Sequence, residues 1–334
     1  MRTALRPAAA AIATLLIAAA CTAGASPTPA ASTAPSAAPP SAAPSAAAPS
    51  QAPSQAPSAA PSVTPAPTPV DACAPAQLAT LTSGTLTIGT DNPAYPPYFE
   101  ASDPNPSPWE LGDPTNGKGF ESAVAYAVAD RLGFTPDKVT WVYVPFTNSY
   151  APGPKTFDFV INQVSWKPER AETADLSRAY YFVNQSVVAK KDSPLAAAKS
   201  VADMKKFKFG AMVGTTSYDT IVNVIAPEQE PSVYDTNDAA IEALKAGQID
   251  GVVVDLPTAF YMTAAQMDDK GVIVGQFPRP ANSPGEYFSL VLAKGSPLTA
   301  CVDQVILGMR ADGTLAKIQQ EWLSDKTNAP VIAP

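Results

Sequence analysis

Two charged residues in this sequence stand where strands of a sheet would end. Arg170 comes nine residues after the apolar run Phe159-Val160-Ile161, and Asp255 directly follows Gly251-Val252-Val253-Val254. A guanidinium can hold a carboxylate in a two-pronged grip. A carboxylate placed after a buried strand is costly unless a cation pairs with it. Such a pair of opposite charges suits the two ends of a zwitterion. Plainer uses stay open: Arg170 could bridge or cap on the surface, and Asp255 could pair with a Lys or Arg of the chain itself. Asn162, Gln163 and Ser165 add polar tips to the run that leads to Arg170. Thr215 and Thr216 follow Gly214 after another apolar run. Hydroxyl residues that open a helix present backbone N–H groups to an anion, and ordinary N-capping is the alternative.

Alternating strands and helices must position these residues. Thr85–Gly89, Thr140–Phe146 and Phe157–Ile161 read as strands. Phe120, Val124, Val128 and Leu132 recur at helical spacing before Gly133. Pro168 fits the first turn of a helix that carries Arg170. Lys208–Val213 begins a second series, in which a capped helix ends at Gly247 and a strand ends at Val254. A helix from about Thr314 should bury Leu315, Ile318 and Trp322. This is α/β architecture with mostly parallel sheets, which bind ligands at the carboxyl ends of their strands.

Several short motifs recur in one order. They are Asp91-Asn92-Pro93-Ala94-Tyr95-Pro96-Pro97-Tyr98-Phe99, Gly119-Phe120-Glu121, the stretch from Asp158 to Arg170, and Gly214-Thr215-Thr216. The helix–strand unit Asn237–Asp255 and the closing run Ala311-Asp312-Gly313-Thr314 to Trp322 complete the set. From about residue 80 to 325 the chain resembles the bacterial extracellular solute-binding proteins of family 3, the amino-acid receptors of ABC importers. The resemblance implies a periplasmic-binding-protein type II fold, two α/β lobes joined by two crossing strands. The expected lobes are 73–185 with 290–334, and 186–289, with crossings near Gln185–Lys190 and Tyr287–Lys294. It implies that Arg170 binds a ligand α-carboxylate with Thr215 and Thr216, and that Asp255 accepts from the α-ammonium. Asp91, Tyr95 and Tyr98 would lie against the ligand, with the aromatics stacking on it. Asn162, Gln163 and Ser165 would line the pocket, as would Trp166 and the segment Phe146–Tyr150. Their polar tips point to a polar amino acid. Glu121 is expected only to pack and cap. An ABC permease is the implied partner, and no cofactor is expected.

The chain begins with Arg2 and Arg6 and then runs apolar from Ala8 to Ala20. That reads as a secretory signal over residues 1–20, too short for a membrane span. Ala18-Ala19-Ala20-Cys21 resembles a lipobox, which would lipidate Cys21 and anchor the protein on the outer face of the cell membrane; simple cleavage and secretion is the alternative. Residues 22–70 are almost entirely Ala, Pro, Ser and Thr. Such a tether builds no core and at ~3.1 Å per residue reaches on the order of 150 Å. Cys73 and Cys301 then remain for a disulfide, or for two unrelated thiols.

With net charge −8 and no basic patch, nucleic-acid binding is disfavoured. The chain has no His and no Cys-x-x-Cys, so no metal-ligand cluster is expected. Two other functions compete with a receptor. A dehydratase-like enzyme on the same fold could use carboxylates and Tyr as acid or base. The sensing domain of a signalling receptor would need a separate signalling partner.

Overall fold

The computed structural model describes residues 73–281, 283–326 and 328–334. The expected signal, Cys21 and the whole tether lie outside the described residues. Strands β1 (Leu86–Thr90), β2 (Val139–Tyr143), β3 (Phe159–Val160) and β4 (Ala174–Leu176) come first. Then follow β5 (Tyr181–Val183), β6 (Gln185–Lys190), β7 (Phe209–Met212) and β8 (Ser232–Tyr234). The last are β9 (Gly251–Asp255), β10 (Gly271–Gln276), β11 (Glu286–Phe288) and β12 (Val291–Ala293). The α-helices are α1 (Phe120–Arg131), α2 (Phe146–Ser149), α3 (Pro168–Thr173), α4 (Val201–Met204) and α5 (Thr216–Thr220). They continue with α6 (Asn237–Lys245), α7 (Leu256–Tyr261), α8 (Thr299–Ala311) and α9 (Thr314–Leu323).

The strands form two five-stranded sheets, in the orders β2-β1-β3-β12-β4 and β10-β6-β9-β7-β8. In the first, β1 runs parallel to β2 and β3, and β12 runs antiparallel to β3 and β4. In the second, β7, β8 and β9 are mutually parallel along their pairings and β6 is antiparallel to β9 and β10. Strands covered on both faces read as continuous apolar runs rather than alternation. That is the case for Val252-Val253-Val254 in β9 and Val187-Val188-Ala189 in β6, all buried. Gly89 in β1 has a packing reason: a Cβ there would stand 2.7 Å from the side chains of Val144 and Val160.

Each sheet has its own core. Around the first, Leu86, Ile88, Phe159 and Phe288 pack with Phe120, Val124 and Val128 of α1 and with Val302 and Ile306 of α8. In α9 Leu315 and Leu323 are buried, whereas Ile318 and Trp322, expected in the core, are only partly covered. The second sheet has a cluster on each face, one around Phe209, Ile221 and Val253 and one around Ile241, Leu244 and Val252.

The link between the sheets overlaps the expected crossings only at Tyr287 and Phe288. Gln185–Lys190 and Val291–Ala293 are strands inside the two sheets. The crossing is a separate two-stranded ribbon of β5 and β11, paired antiparallel with Tyr287 opposite Phe182. The sequence misleads here because both runs are apolar enough to be buried strands, and the connecting residues beside them are few. The C-terminal tail also departs from the expected grouping of 290–334 with the first sheet. Val331 pairs with Gln276 of β10, Ala333 pairs with Ser200, and Ile332 is buried in the second core.

Cys73 and Cys301 form a disulfide, with Cα atoms 5.5 Å apart. It ties the start of the described chain to α8 over a separation of 228 residues. A loop of that length constrains the unfolded chain by up to about 5 kcal/mol in the loop-entropy account. Replacing both cysteines by Ser should therefore lower the free energy of denaturant unfolding by about 2–5 kcal/mol. An unchanged midpoint would show that the bridge adds nothing to stability.

Candidate ligand-binding site

A cavity of about 400 Å³ opens at the carboxyl ends of the strands of both sheets. Asp91 follows β1, Asn162 and Gln163 follow β3, Thr215 follows β7, and Asp255 ends β9. Open α/β sheets leave their strand ends uncovered at this edge, so polar residues placed there face a common crevice. The cavity is lined by Asp91, Tyr95, Asn162, Gln163, Ser165, Arg170, Thr215, Thr216 and Asp255. Tyr98 is not among the lining residues. It is buried in the first core at 1% exposure, and its hydroxyl lies 3.3 Å from that of Thr258. Trp166 also stands apart, 42% exposed and stacked on Tyr287. Phe146 and Thr147 of the expected aromatic segment do line the cavity.

Arg170 is buried at 5% exposure near the start of α3. One guanidinium nitrogen donates to the Ser165 carbonyl and the other to the Gly214 carbonyl at 2.8 Å. Its plane lies 4.7 Å from the ring of Tyr150 and 5.4 Å from that of Phe146. These contacts fix its direction, and burial pulls its pKa down from the ordinary value. No ion pair involves Arg170 among the described residues. Gly214 sits at φ +73°, with the Tyr150 hydroxyl 3.1 Å from where a Cβ would be. A larger residue there would be strained and would press on Tyr150.

Asp255 is held from the other side. The Gln185 amide donates to it at 2.7 Å and to both oxygens of Glu286 at 3.1 Å. Burial pushes the Asp255 carboxyl well above the ordinary carboxylate range, and the neighbouring Glu286 adds to the shift. Glu286 also accepts from the hydroxyls of Ser165 and Thr216. Asp91 accepts from the N–H groups of Asn92 at 2.9 Å and Phe146 at 3.2 Å, while burial raises its pKa. The side-chain nitrogen of Asn162 is buried at the cavity and faces the Asp91 carboxylate.

Three further contacts join the first-sheet side of the cavity to the second. Tyr95 donates to Asp238 of α6 at 2.5 Å, and Gln266 donates to the other Asp238 oxygen at 2.7 Å. Lys167 pairs with Asp219 of α5 at 2.6 Å. The Arg170 bond to Gly214 is the third.

Reasoning from sequence missed four polar residues here. Gln185 was hidden in a run read as a crossing strand, and Glu286 in the irregular stretch before Tyr287. Asp238 read only as part of a capped helix start. Glu121 was expected to pack and cap, yet its carboxylate organises the loop after β3. It accepts from the Gln163 N–H at 2.7 Å, from the Gln163 amide and from the Tyr180 hydroxyl. Gln163 sits at φ +48°, the left-handed region that non-glycine residues rarely occupy. Glu121 thus pins a strained residue at the cavity wall. The acidic residue at the start of α1 was the only sequence signal for it.

Burial raises the Glu121 pKa from 4.5 to about 7, against the three bonds that favour its charge. The unfolded chain therefore releases this proton first as pH rises. The contribution of Glu121 to stability should fall from about pH 4.5 to 7, by up to about 3 kcal/mol at 1.36 kcal/mol per unit. Glu121→Gln should make the fall in unfolding free energy across this range shallower, leaving the part due to Asp255 and Asp91. A parallel pH dependence in the two proteins would mean that Glu121 is not held protonated.

The comparisons with known proteins agree with this architecture. The chain is 27% identical over 245 residues to the L-cystine-binding protein TcyJ of Escherichia coli (strain K12), covering 72% of this chain and 82% of that one. Among solved structures, an ancestral arginine-binding protein bound to arginine superposes with a TM-score of 0.55 at 28% identity, over 72% of this chain and 98% of its own. The ancestral amino-acid-binding protein AncCDT-1, described as a precursor of cyclohexadienyl dehydratase, gives 0.55 at 26% identity, over 72% and 95%. The fold is the type II periplasmic-binding-protein fold. Residues 86–325 match the sequence pattern of one family throughout, and the chain belongs to the bacterial extracellular solute-binding proteins, family 3.

Proposed function

We propose that this protein captures a polar α-amino acid in the cavity between its two sheets and delivers it to an ABC permease. The observation that carries this is Arg170, a buried guanidinium that lines the cavity without a carboxylate partner among the described ion pairs. A ligand α-carboxylate would supply that partner, with Ser165, Thr215 and Thr216 beside it. Asp255 and Asp91 would take the α-ammonium and the polar side chain. The charged lining residues are Asp91, Asp235 and Asp255 against Arg170. That excess of carboxylates favours a neutral or cationic side chain over an acidic one. The ancestral relative bound to arginine has a cationic ligand.

The lobes that close on the ligand would be 73–180 with 289–329, and 184–285 with the tail, with the β5–β11 ribbon between them. The apolar leader, Cys21 and the Pro-rich segment support export and lipid anchoring on the outer face of the membrane. A dehydratase-like activity is the second reading. It rests on the raised Asp255 carboxyl as a proton donor and on the AncCDT-1 relative.

Calorimetric titration of the protein with the twenty common amino acids and L-cystine tests the receptor. One or a few should bind, and aspartate and glutamate should not. Arg170→Ala should lose about 2–5 kcal/mol of binding free energy. Equal binding by that variant would remove the carboxylate assignment. Conversion of the bound amino acid, followed by mass spectrometry, would favour the enzyme.

A further inference from the structure

Glu286 holds the donors that the proposed ligand carboxylate needs. One of its oxygens accepts from the Ser165 hydroxyl and, at 2.5 Å, from the Thr216 hydroxyl. The Gln185 amide stands 3.1 Å from both of its oxygens. Gln185 is itself fixed, because its carbonyl accepts from the Ser217 hydroxyl at 2.8 Å and its amide donates to Asp255. Ser165 lies between β3 and α3 on the first-sheet side, and Thr216 opens α5 on the second-sheet side. A carboxylate on the crossing ribbon therefore joins hydroxyls from both sides. It makes the contacts that a bridging ligand would make.

Two carboxylates cannot share one pair of hydroxyl donors without strong repulsion. A ligand that uses Ser165 and Thr216 must move Glu286. The structure offers a destination. Glu286 does not line the first cavity but already borders a second one, of about 330 Å³, which shares no lining residue with the first. Arg279 lines that second cavity too. Its guanidinium lies 5.0 Å from the ring of Phe182 and makes no ion pair among the described residues. A cation and free volume are thus available on the side of Glu286 that faces the second cavity.

The geometry points to Glu286 as a built-in competitor for the ligand carboxylate, seated on Ser165 and Thr216 without ligand and displaced toward Arg279 when ligand enters. This rests on the amino-acid receptor proposed above. It makes Glu286 a residue that sets affinity and Arg279 a positioning residue that acts through it. The apparent affinity is then lowered by the fraction of molecules in which Glu286 holds the donors.

The test is calorimetric titration of the full chain with the same panel of amino acids, on four variants whose folding is checked by circular dichroism. Glu286→Ala and the isosteric Glu286→Gln should both bind the preferred amino acid more tightly, by about five- to fiftyfold. Arg279→Met should bind it more weakly, by about fivefold or more. In the Glu286→Ala background, Arg279→Met should change nothing, because the two residues act through one another. A residue that only contacts ligand or supports the fold would not produce opposite signs and this loss of effect. Weaker binding by Glu286→Ala or Glu286→Gln would overturn the inference and leave the receptor standing. An Arg279→Met effect of equal size in both backgrounds would overturn it as well. Absence of binding in the parent and in every Glu286 variant would overturn both the receptor and the competitor.

Discussion

Tyr181–Val183 and Glu286–Phe288 pair as a ribbon of three residues on each strand, and the two sheets meet through it. Its register decides what faces where. Phe288 is opposite Tyr181, fully buried in the first core, and bridges to Ser165. Two residues earlier in the same strand, Glu286 points among Ser165, Gln185 and Thr216. Strand neighbours two apart share a face, so anchoring Phe288 also sets the side on which the Glu286 carboxylate emerges. A one-residue slip would turn Glu286 away and bring Tyr287 into its place. The hydrogen bonds that Glu286 makes to Ser165 and Thr216 at the cavity wall depend on that register.

The electrostatics of the site follow from burial. One guanidinium and several carboxylates lie buried in and around the cavity. Asp255, Asp91 and Glu121 all respond with raised pKa values, because desolvation penalises the charged form. Each carboxylate is then restrained by donors: Gln185 for Asp255, backbone N–H groups for Asp91, and Gln163 with Tyr180 for Glu121. Arg170 differs, since its hydrogen-bond partners are carbonyls and its stacking partners are aromatic rings. Such partners orient a cation without neutralising it.

The parts of this protein legible in its sequence are those with local signatures. Apolar runs ending in polar residues marked β1, β3, β7 and β9, and the residues at their ends do line one cavity. Arg170, Asp255, Thr216 and Asp91 are cases of this. Tyr98 went astray because a Pro-rich loop does not reveal which of its aromatics turns inward, and the core took it. Glu286 and Gln185 were not legible, because their importance arises from a crossing between distant parts of the chain. Nothing in their immediate neighbours records it. The destination of the tail was hidden for the same reason, as Val331 and Ala333 find partners at Gln276 and Ser200.

The Cys73–Cys301 bond also determines how mechanical load would travel through the molecule. A pull on the chain ahead of Cys73 passes through the disulfide into α8, whose Val302 and Ile306 are buried in the first core. It need not cross β5 or β11, nor reach the second sheet. The half of the protein that carries α8 thus takes the strain of whatever holds the chain from its amino end. On that path the ribbon carries none of the load.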